Sequence, residues 1–130
     1  MTKFGKVWGE TRPLLVTPTV EIHSIDATGG FRCSEHLHRF KWNGFYCVRG
    51  ELWIHVRKND YDLVDITKLY PGEFTTVAPN EYHWFSVPKS EIYDDNDELI
   101  YESSVRALEI YYPQHISEDI IRKTVGGLNE

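Results

Sequence analysis

Cysteine is scarce in these 130 residues: Cys33 and Cys47 are the only two. They form neither a redox motif nor a disulfide framework, so the expectation is two reduced residues on buried strands. No apolar run approaches the roughly 18 residues of a membrane span. The opening Met1-Thr2-Lys3-Phe4-Gly5 lacks the apolar core of a signal peptide. A soluble, cytoplasmic protein with no membrane partner is expected. Positive charge is also short, with 14 Lys and Arg against 20 Asp and Glu. The deficit is local: Glu91, Asp94, Asp95, Asp97, Glu98 and Glu102 fall in one stretch without a base, which reads as a solvated loop. An acidic chain with no basic stripe repels a phosphate backbone, so nucleic acid is not an expected partner. Repeats, low-complexity tracts and interdomain linkers are absent too, and the length fits one domain over 1–130.

Apolar residues are 41% and aromatic residues 14% of the chain, enough to build a core. Turn signals recur at Gly29-Gly30, Asn43-Gly44, Gly50, Lys58 to Asp60, Pro71-Gly72, Pro79-Asn80, Pro88 and Asp94 to Asp97. Between them lie short runs rich in Val, Ile, Phe, Tyr, Trp and Thr: 20–25, 45–48, 52–56, 74–77, 82–87 and 105–112. Leu52, Ile54 and Val56 alternate with Trp53, His55 and Arg57, the period of a half-buried strand. This pattern predicts an all-β sandwich or barrel, with a core over about 20–112. One segment reads as helix, over about 117–125. Ser117 is its N-cap, Glu118 and Asp119 favour its first turn, and Gly126-Gly127 ends it.

Three histidines carry the functional reading. His36 and His38 are two residues apart, a spacing that points both imidazoles to one side of a strand. His83 lies in the predicted strand 82–87 and supplies a third imidazole. Neutral imidazoles that converge make a transition-metal site. The expected cofactor is one divalent transition metal per chain (zinc, iron, manganese or nickel), because imidazole alone does not select among them. Arg32 and Ser34 share the parity of His36 and His38. On the last long strand Glu109 and Tyr111 alternate with Leu108 and Ile110, and one pair must face inward. Glu109, Tyr111 and Arg32 are therefore candidate catalytic residues, with Tyr46, Lys41, Trp42 and His23 as further ones. His55, opposite its strand's apolar face, is expected at the surface or a subunit contact.

Gly30, His36, His38, Asn43 and Gly50 resemble the first sequence motif of the cupin superfamily in their spacing. Gly72, Ala78-Pro79-Asn80 and His83 resemble the second. The chain departs from the family at Asn43, where Glu is usual, at Ala78 and Asn80, where Pro and Gly are usual, and at Val87, where the family has Asn. A narrower resemblance is to the C-terminal cupin domain of mannose-6-phosphate isomerases. It rests on Lys6-Val7-Trp8-Gly9, on Leu108-Glu109-Ile110, on Ser117 to Arg122, and on Ser34, His38 and Gly50. That family usually has Gln at the position of His36.

The resemblance implies a cupin double-stranded β-helix, a jelly-roll barrel with a short C-terminal helix. It also implies a metal-binding protein that acts on a small polar, sugar-like substrate by sugar or sugar-phosphate isomerisation, and a homodimer paired through its sheets. Asn43 removes a negative charge and a base from the expected ligand set. It reads as a weak fourth metal ligand, as a hydrogen-bond partner of one, or as a turn residue. With three neutral imidazoles the metal is the stronger Lewis acid, and any base must come from elsewhere. A three-histidine iron dioxygenase and a non-catalytic sugar-binding module are the alternatives.

Overall fold

β-Branched and aromatic runs that alternate with turn residues fold as predicted. A computed structural model describes residues 4–6, 9–59, 61–113, 123 and 126–127. The expected helix lies outside these, as do Val7, Trp8 and His115. Among the described residues there are eleven strands and no helix: β1 (Phe4–Lys6), β2 (Gly9–Val16), β3 (Glu21–Thr28), β4 (Trp42–Arg49), β5 (Leu52–Arg57), β6 (Val64–Leu69), β7 (Phe74–Val77), β8 (His83–Ser86), β9 (Glu91–Tyr93), β10 (Leu99–Glu102) and β11 (Ser104–Tyr112). Six form one antiparallel sheet in the order β1-β2-β3-β11-β4-β7, and three form a second in the order β6-β5-β8. The β9–β10 pair stands apart.

The two large sheets face each other across one apolar layer. Ile25 of β3, Phe45 and Cys47 of β4, Leu52 and Ile54 of β5, Val77 of β7 and Val105 and Ala107 of β11 are all at most 2% exposed. Phe45 and Phe85, from opposite sheets, meet edge to face at 6.3 Å. Burying a side chain of the size of Ile, Leu or Phe contributes about 1.5–3 kcal/mol each, so this layer is what holds the sheets together.

Each inward stripe then changes character toward one end. His23 continues the stripe of Ile25, Asn43 that of Phe45, His83 that of Phe85, and Glu109 and Tyr111 that of Ala107. The register aligns these polar ends: Glu109 is opposite His23 on one side and Phe45 on the other, and Tyr111 is opposite Asn43. Asn43-Gly44 lies inside β4 rather than at a turn, and the half-exposed Phe74 ring lies across Gly44. A β-carbon would fall 2.6 Å from Phe74 Cζ.

Three sequence expectations need correction. The acidic stretch is a hairpin, with Tyr93 opposite Leu99 and Glu91 opposite Glu102. Asp94 Oδ1 closes its turn by accepting from the Asn96 and Glu98 amides. β2 was not expected, because Pro13 interrupts its pattern. Pro13 is tolerated because β1 covers β2 only from Gly9 to Thr11, so farther along β2 is an edge. The segment around His36 and His38 is not a regular strand. It touches β8 through two isolated bridges, Arg32 to Ser86 and His36 to His83. Four residue steps on one side face three on the other, so one extra residue is inserted between the bridges, as in a β-bulge.

Candidate metal centre

His83 enters the site from β8, fully buried, and His36 is fixed to it through the backbone. The His36 amide donates to the His83 carbonyl at 3.0 Å, and the His83 amide returns the bond to the His36 carbonyl at 2.8 Å. The His38 carbonyl accepts from the Asn80 amide at 2.7 Å. Asn80 has φ +67°, a left-handed conformation that Asn adopts more readily than most residues. This accounts for Asn where the motif usually has Gly. The three rings pack with centroids 4.6, 5.1 and 5.5 Å apart, and one nitrogen of each lies within 4.8 Å of the others.

The hydrogen bonds fix which nitrogens face inward. His36 Nδ1 meets the Ser34 carbonyl at 2.7 Å and His83 Nδ1 meets the Glu81 carbonyl at 2.9 Å. A carbonyl only accepts, so each Nδ1 carries its proton and each Nε2 keeps a lone pair. His83 Nε2 nevertheless lies 3.0 Å from Asn43 Oδ1, itself an acceptor. A neutral imidazole satisfies one of the two oxygens and repels the other. Doubly protonating His83 would satisfy both, but burial, reinforced by His36, depresses its pKa. Among the described residues, His38 Nε2 is the buried side-chain nitrogen or oxygen without a hydrogen-bond partner. Burial first, then the neighbouring His36 and His83, pushes the His38 pKa down to about 4.

An unpartnered lone pair and two acceptors facing each other at 3.0 Å are costly alone and favourable around a cation. Donor atoms that share one metal at about 2.0–2.1 Å must themselves lie only about 3–3.5 Å apart. The donor set therefore fits a divalent metal, with three imidazoles and a neutral amide oxygen.

Beside it lies a carboxyl. Glu109 is 8% exposed. Burial raises its pKa, against the pull of a bond from the Tyr111 hydroxyl, the nearby His36 and His23, and a contact with the Asn43 amide. Tyr111 is likewise pushed up, by burial and by Glu109. Its ring stands edge-on to His38 at 4.9 Å and to His23 at 5.9 Å. At the rim, Glu21 accepts from His23 at 3.3 Å and pairs with Lys41 at 3.6 Å.

The structure thus brings together His36, His38, His83, Asn43, Glu109, Tyr111, His23 and Lys41. It does not bring Arg32. Cys33 points into the core and Arg32 is exposed, because the extra residue reverses the alternation between positions 32 and 36. Tyr46 and Trp42 belong to the outer face of the six-stranded sheet, where Trp42 stacks on Tyr112. His55 also faces outward, as expected, stacked on Trp84 at 4.8 Å with Nε2 2.7 Å from Ser86 Oγ. Sequence reasoning missed Glu21, whose parity with His23 on β3 was the available signal.

No family model matches the sequence, and no curated protein matches it. Solved structures do resemble it. KdgF from a Halomonas species is 12% identical with a TM-score of 0.64, over 88% of this chain and 90% of that one. An RmlC-like cupin family protein with a double-stranded β-helix fold, from Methanocaldococcus jannaschii, is 13% identical with a TM-score of 0.59, over 86% and 81%. The capsular polysaccharide assembling protein CapF from Staphylococcus aureus is 13% identical with a TM-score of 0.67, over 91% of this chain and 32% of that one. This chain thus spans about a third of CapF. The chain has the cupin fold.

Proposed function

We propose that this chain is a metal-dependent enzyme acting on a small polar, sugar-like metabolite, with isomerisation of a sugar or sugar phosphate as its reaction. His36, His38 and His83 hold one divalent transition metal (zinc, iron, manganese or nickel) and Asn43 Oδ1 is a fourth, neutral ligand. The observation that carries the reading is the pair of acceptors His83 Nε2 and Asn43 Oδ1 facing each other at 3.0 Å beside the unpartnered His38 Nε2. The resemblance to mannose-6-phosphate isomerase domains supplies the reaction class, and the polysaccharide-assembling role in CapF's name points to the same substrate chemistry.

Bound metal supplies Lewis acidity toward a carbonyl or hydroxyl oxygen of the substrate. The chain's own residues supply the proton chemistry. Aldose–ketose isomerisation takes a proton from one carbon and returns it to its neighbour, and the group that does so works best with a pKa near the working pH. The cupin motif's carboxylate is absent at position 43, and Glu109 provides one from β11 instead. Burial raises its pKa above the usual carboxylate range, which makes the ionised carboxylate a stronger base for taking the proton before it returns it. The Tyr111 hydroxyl orients that carboxyl, and its ring stands edge-on to His38. Lys41 at the rim suits the phosphate of a sugar phosphate.

The test is metal content followed by turnover. Purified protein is expected to carry about one transition metal per chain, and His38→Ala to lose it. Glu109→Gln is expected to keep the metal and lose roughly 10²–10⁴-fold in kcat. Stoichiometric metal in His38→Ala overturns the site. A metal-replete wild type that converts no aldose or ketose phosphate overturns the reaction. The neutral donor set favours one second reading, a three-histidine iron dioxygenase, and substrate-dependent oxygen uptake by the iron form would establish it. Thermal stabilisation by a sugar without turnover would instead mark a binding module.

We also read the outer face of the six-stranded sheet as the contact with a second copy. Leu108 and Ile110 of β11, Ile22 of β3, Tyr46 of β4 and Phe74 of β7 share it through direct cross-strand pairs, Leu108 with Tyr46, Ile110 with Ile22 and Tyr46 with Phe74, and Val48 follows Tyr46 on β4. Among the described residues, no helix is long and apolar enough to cross a membrane. Two free, buried cysteines suit the reducing cytoplasm proposed as its location.

A further inference from the structure

The segment that carries His36 and His38 is bonded to β8 on either side of a gap, by the Cys33 amide to the Phe85 carbonyl at 3.1 Å and by the reciprocal His36–His83 bonds. Its two bridges to β8 are isolated, and the extra residue between them interrupts the ladder at Ser34 and Glu35. Those two residues nevertheless control the metal-facing geometry, because the Ser34 carbonyl fixes the ring of His36 through Nδ1 at 2.7 Å. Glu35 lies between that carbonyl and that ring in the chain. The His36–His83 bonds fix the backbone of His36, and whatever fixes Glu35 helps set where the Ser34 carbonyl meets its ring, and so the angle at which His36 presents Nε2.

Arg57 does so from outside. It sits at the end of β5, and its amide donates to the Tyr82 carbonyl at 2.9 Å. Its side chain crosses the outer surface of β8, with the guanidinium 5.6 Å from the centre of the Trp84 ring. It ends on Glu35 as a two-pronged fork, Nε to Oε2 at 2.6 Å and Nη2 to Oε1 at 3.1 Å. Nη1 meets the exposed Asp62 at 3.1 Å. A planar guanidinium stacked on an aromatic ring and held by two bonds is more restricted than a lone surface pair. Here the fork stands where the backbone ladder is broken, so it takes over the work of the missing pairing.

We propose that Arg57 and Glu35 are positioning residues of the metal centre: the fork locks the extra residue of the His36 segment and thereby sets the orientation of His36 Nε2. This rests on the metal-centre reading above. Residues that hold a ligand in place without touching the metal commonly change affinity about 10–100-fold when removed.

The experiment titrates the metal-free protein with Co²⁺ alone, read by visible absorption against a competing chelator, with thermal melting of each metal-free variant alongside. Arg57→Ala and Glu35→Gln are each expected to weaken Co²⁺ binding about 10–100-fold. Arg57→Lys, which keeps the charge but not the fork, is expected to fall between them and wild type. The exchanged pair Arg57→Glu with Glu35→Arg should regain part of the loss. Asp62→Asn, which removes the other contact of the same guanidinium, should bind as wild type does. In the Co²⁺ protein the shifted, exchangeable His36 Nδ1 proton should exchange faster in Arg57→Ala, a change that a purely stabilising ion pair would not produce. Wild-type Co²⁺ affinity in both Arg57→Ala and Glu35→Gln overturns the proposal, as does a loss in Asp62→Asn equal to that in Arg57→Ala. If Arg57→Ala does not fold, Arg57→Lys and Glu35→Gln decide by the same criterion. A wild type that binds no Co²⁺ overturns the metal-centre reading itself, a result distinct from a failure of the fork.

Discussion

Cys33 shows how much a single side chain settles here. Its thiol sits in the core, accepts from the Phe85 amide at 3.2 Å, and has its pKa raised to about 11 from 9.0, chiefly by burial. The folded state therefore keeps the proton that an unfolded chain gives up. The resulting stabilisation is fully present below pH 9 and is lost as the pH rises through 11. Two units correspond to about 2–3 kcal/mol. Denaturant melts of wild type and Cys33→Ala should show the difference between them shrink by that amount over this range, and a constant difference would refute the assignment. Cys33 was legible as a reduced, buried thiol because it belongs to no redox motif or disulfide framework, but it lies between two isolated bridges and not on the expected strand. The three histidines were legible because their spacing survives one inserted residue. Arg32 was not, because its inward placement rested on counting parity across that insertion, and nothing in Arg32 to His38 marks where alternation breaks. For Asn43, the sequence left three readings open that only the position of Oδ1 separates.

Among the elements, the turns do most to aim these side chains. Gly50 joins β4 to β5 with φ +87°, and a β-carbon there would lie 2.2 Å from the Ser104 carbonyl oxygen at the start of β11. Gly50→Ala must strain the turn and push β11 aside. Left-handed strain costs about 1–3 kcal/mol before the clash is counted, so a loss of at least 2 kcal/mol is expected in equilibrium unfolding. Because β11 carries Glu109 and Tyr111, the variant should also lose activity in proportion to that displacement while its histidines keep their metal. A change of less than half a kilocalorie would mean that the turn relaxes freely. Strands β3, β4, β5, β7, β8 and β11 were legible because each is a run of β-branched and aromatic residues bounded by turn signals, and β5 alternates as well. The β9–β10 hairpin was not, since its acids obscure the strand-forming Ile92, Tyr93 and Leu99.

The whole molecule poses a different question, because the six-stranded sheet carries an apolar patch on its outer face too, beside the Arg106–Asp26 ion pair. An antiparallel sheet with one face in water alternates apolar and polar residues. β11 instead places Val105 and Ala107 inside and Leu108 and Ile110 outside, and β4 places Phe45 and Cys47 inside with Tyr46 and Val48 outside. Val48 and Phe74 remain 44% and 50% exposed in the single chain. Leaving so many joined apolar side chains in water is unfavourable, and a twofold pairing of this face with itself removes them without needing any other protein. The protein is therefore expected to sediment as a dimer. Leu108→Glu places a charge at the centre of the patch and should yield monomers. Leu108 is only half-buried and points away from both the core and the histidines, so the monomeric variant should keep its metal. A wild type that sediments as a monomer would sink the pairing. A Leu108→Glu variant that stays dimeric would show that the copies meet elsewhere. If the monomer binds metal but turns over no substrate, the second copy must complete the substrate pocket.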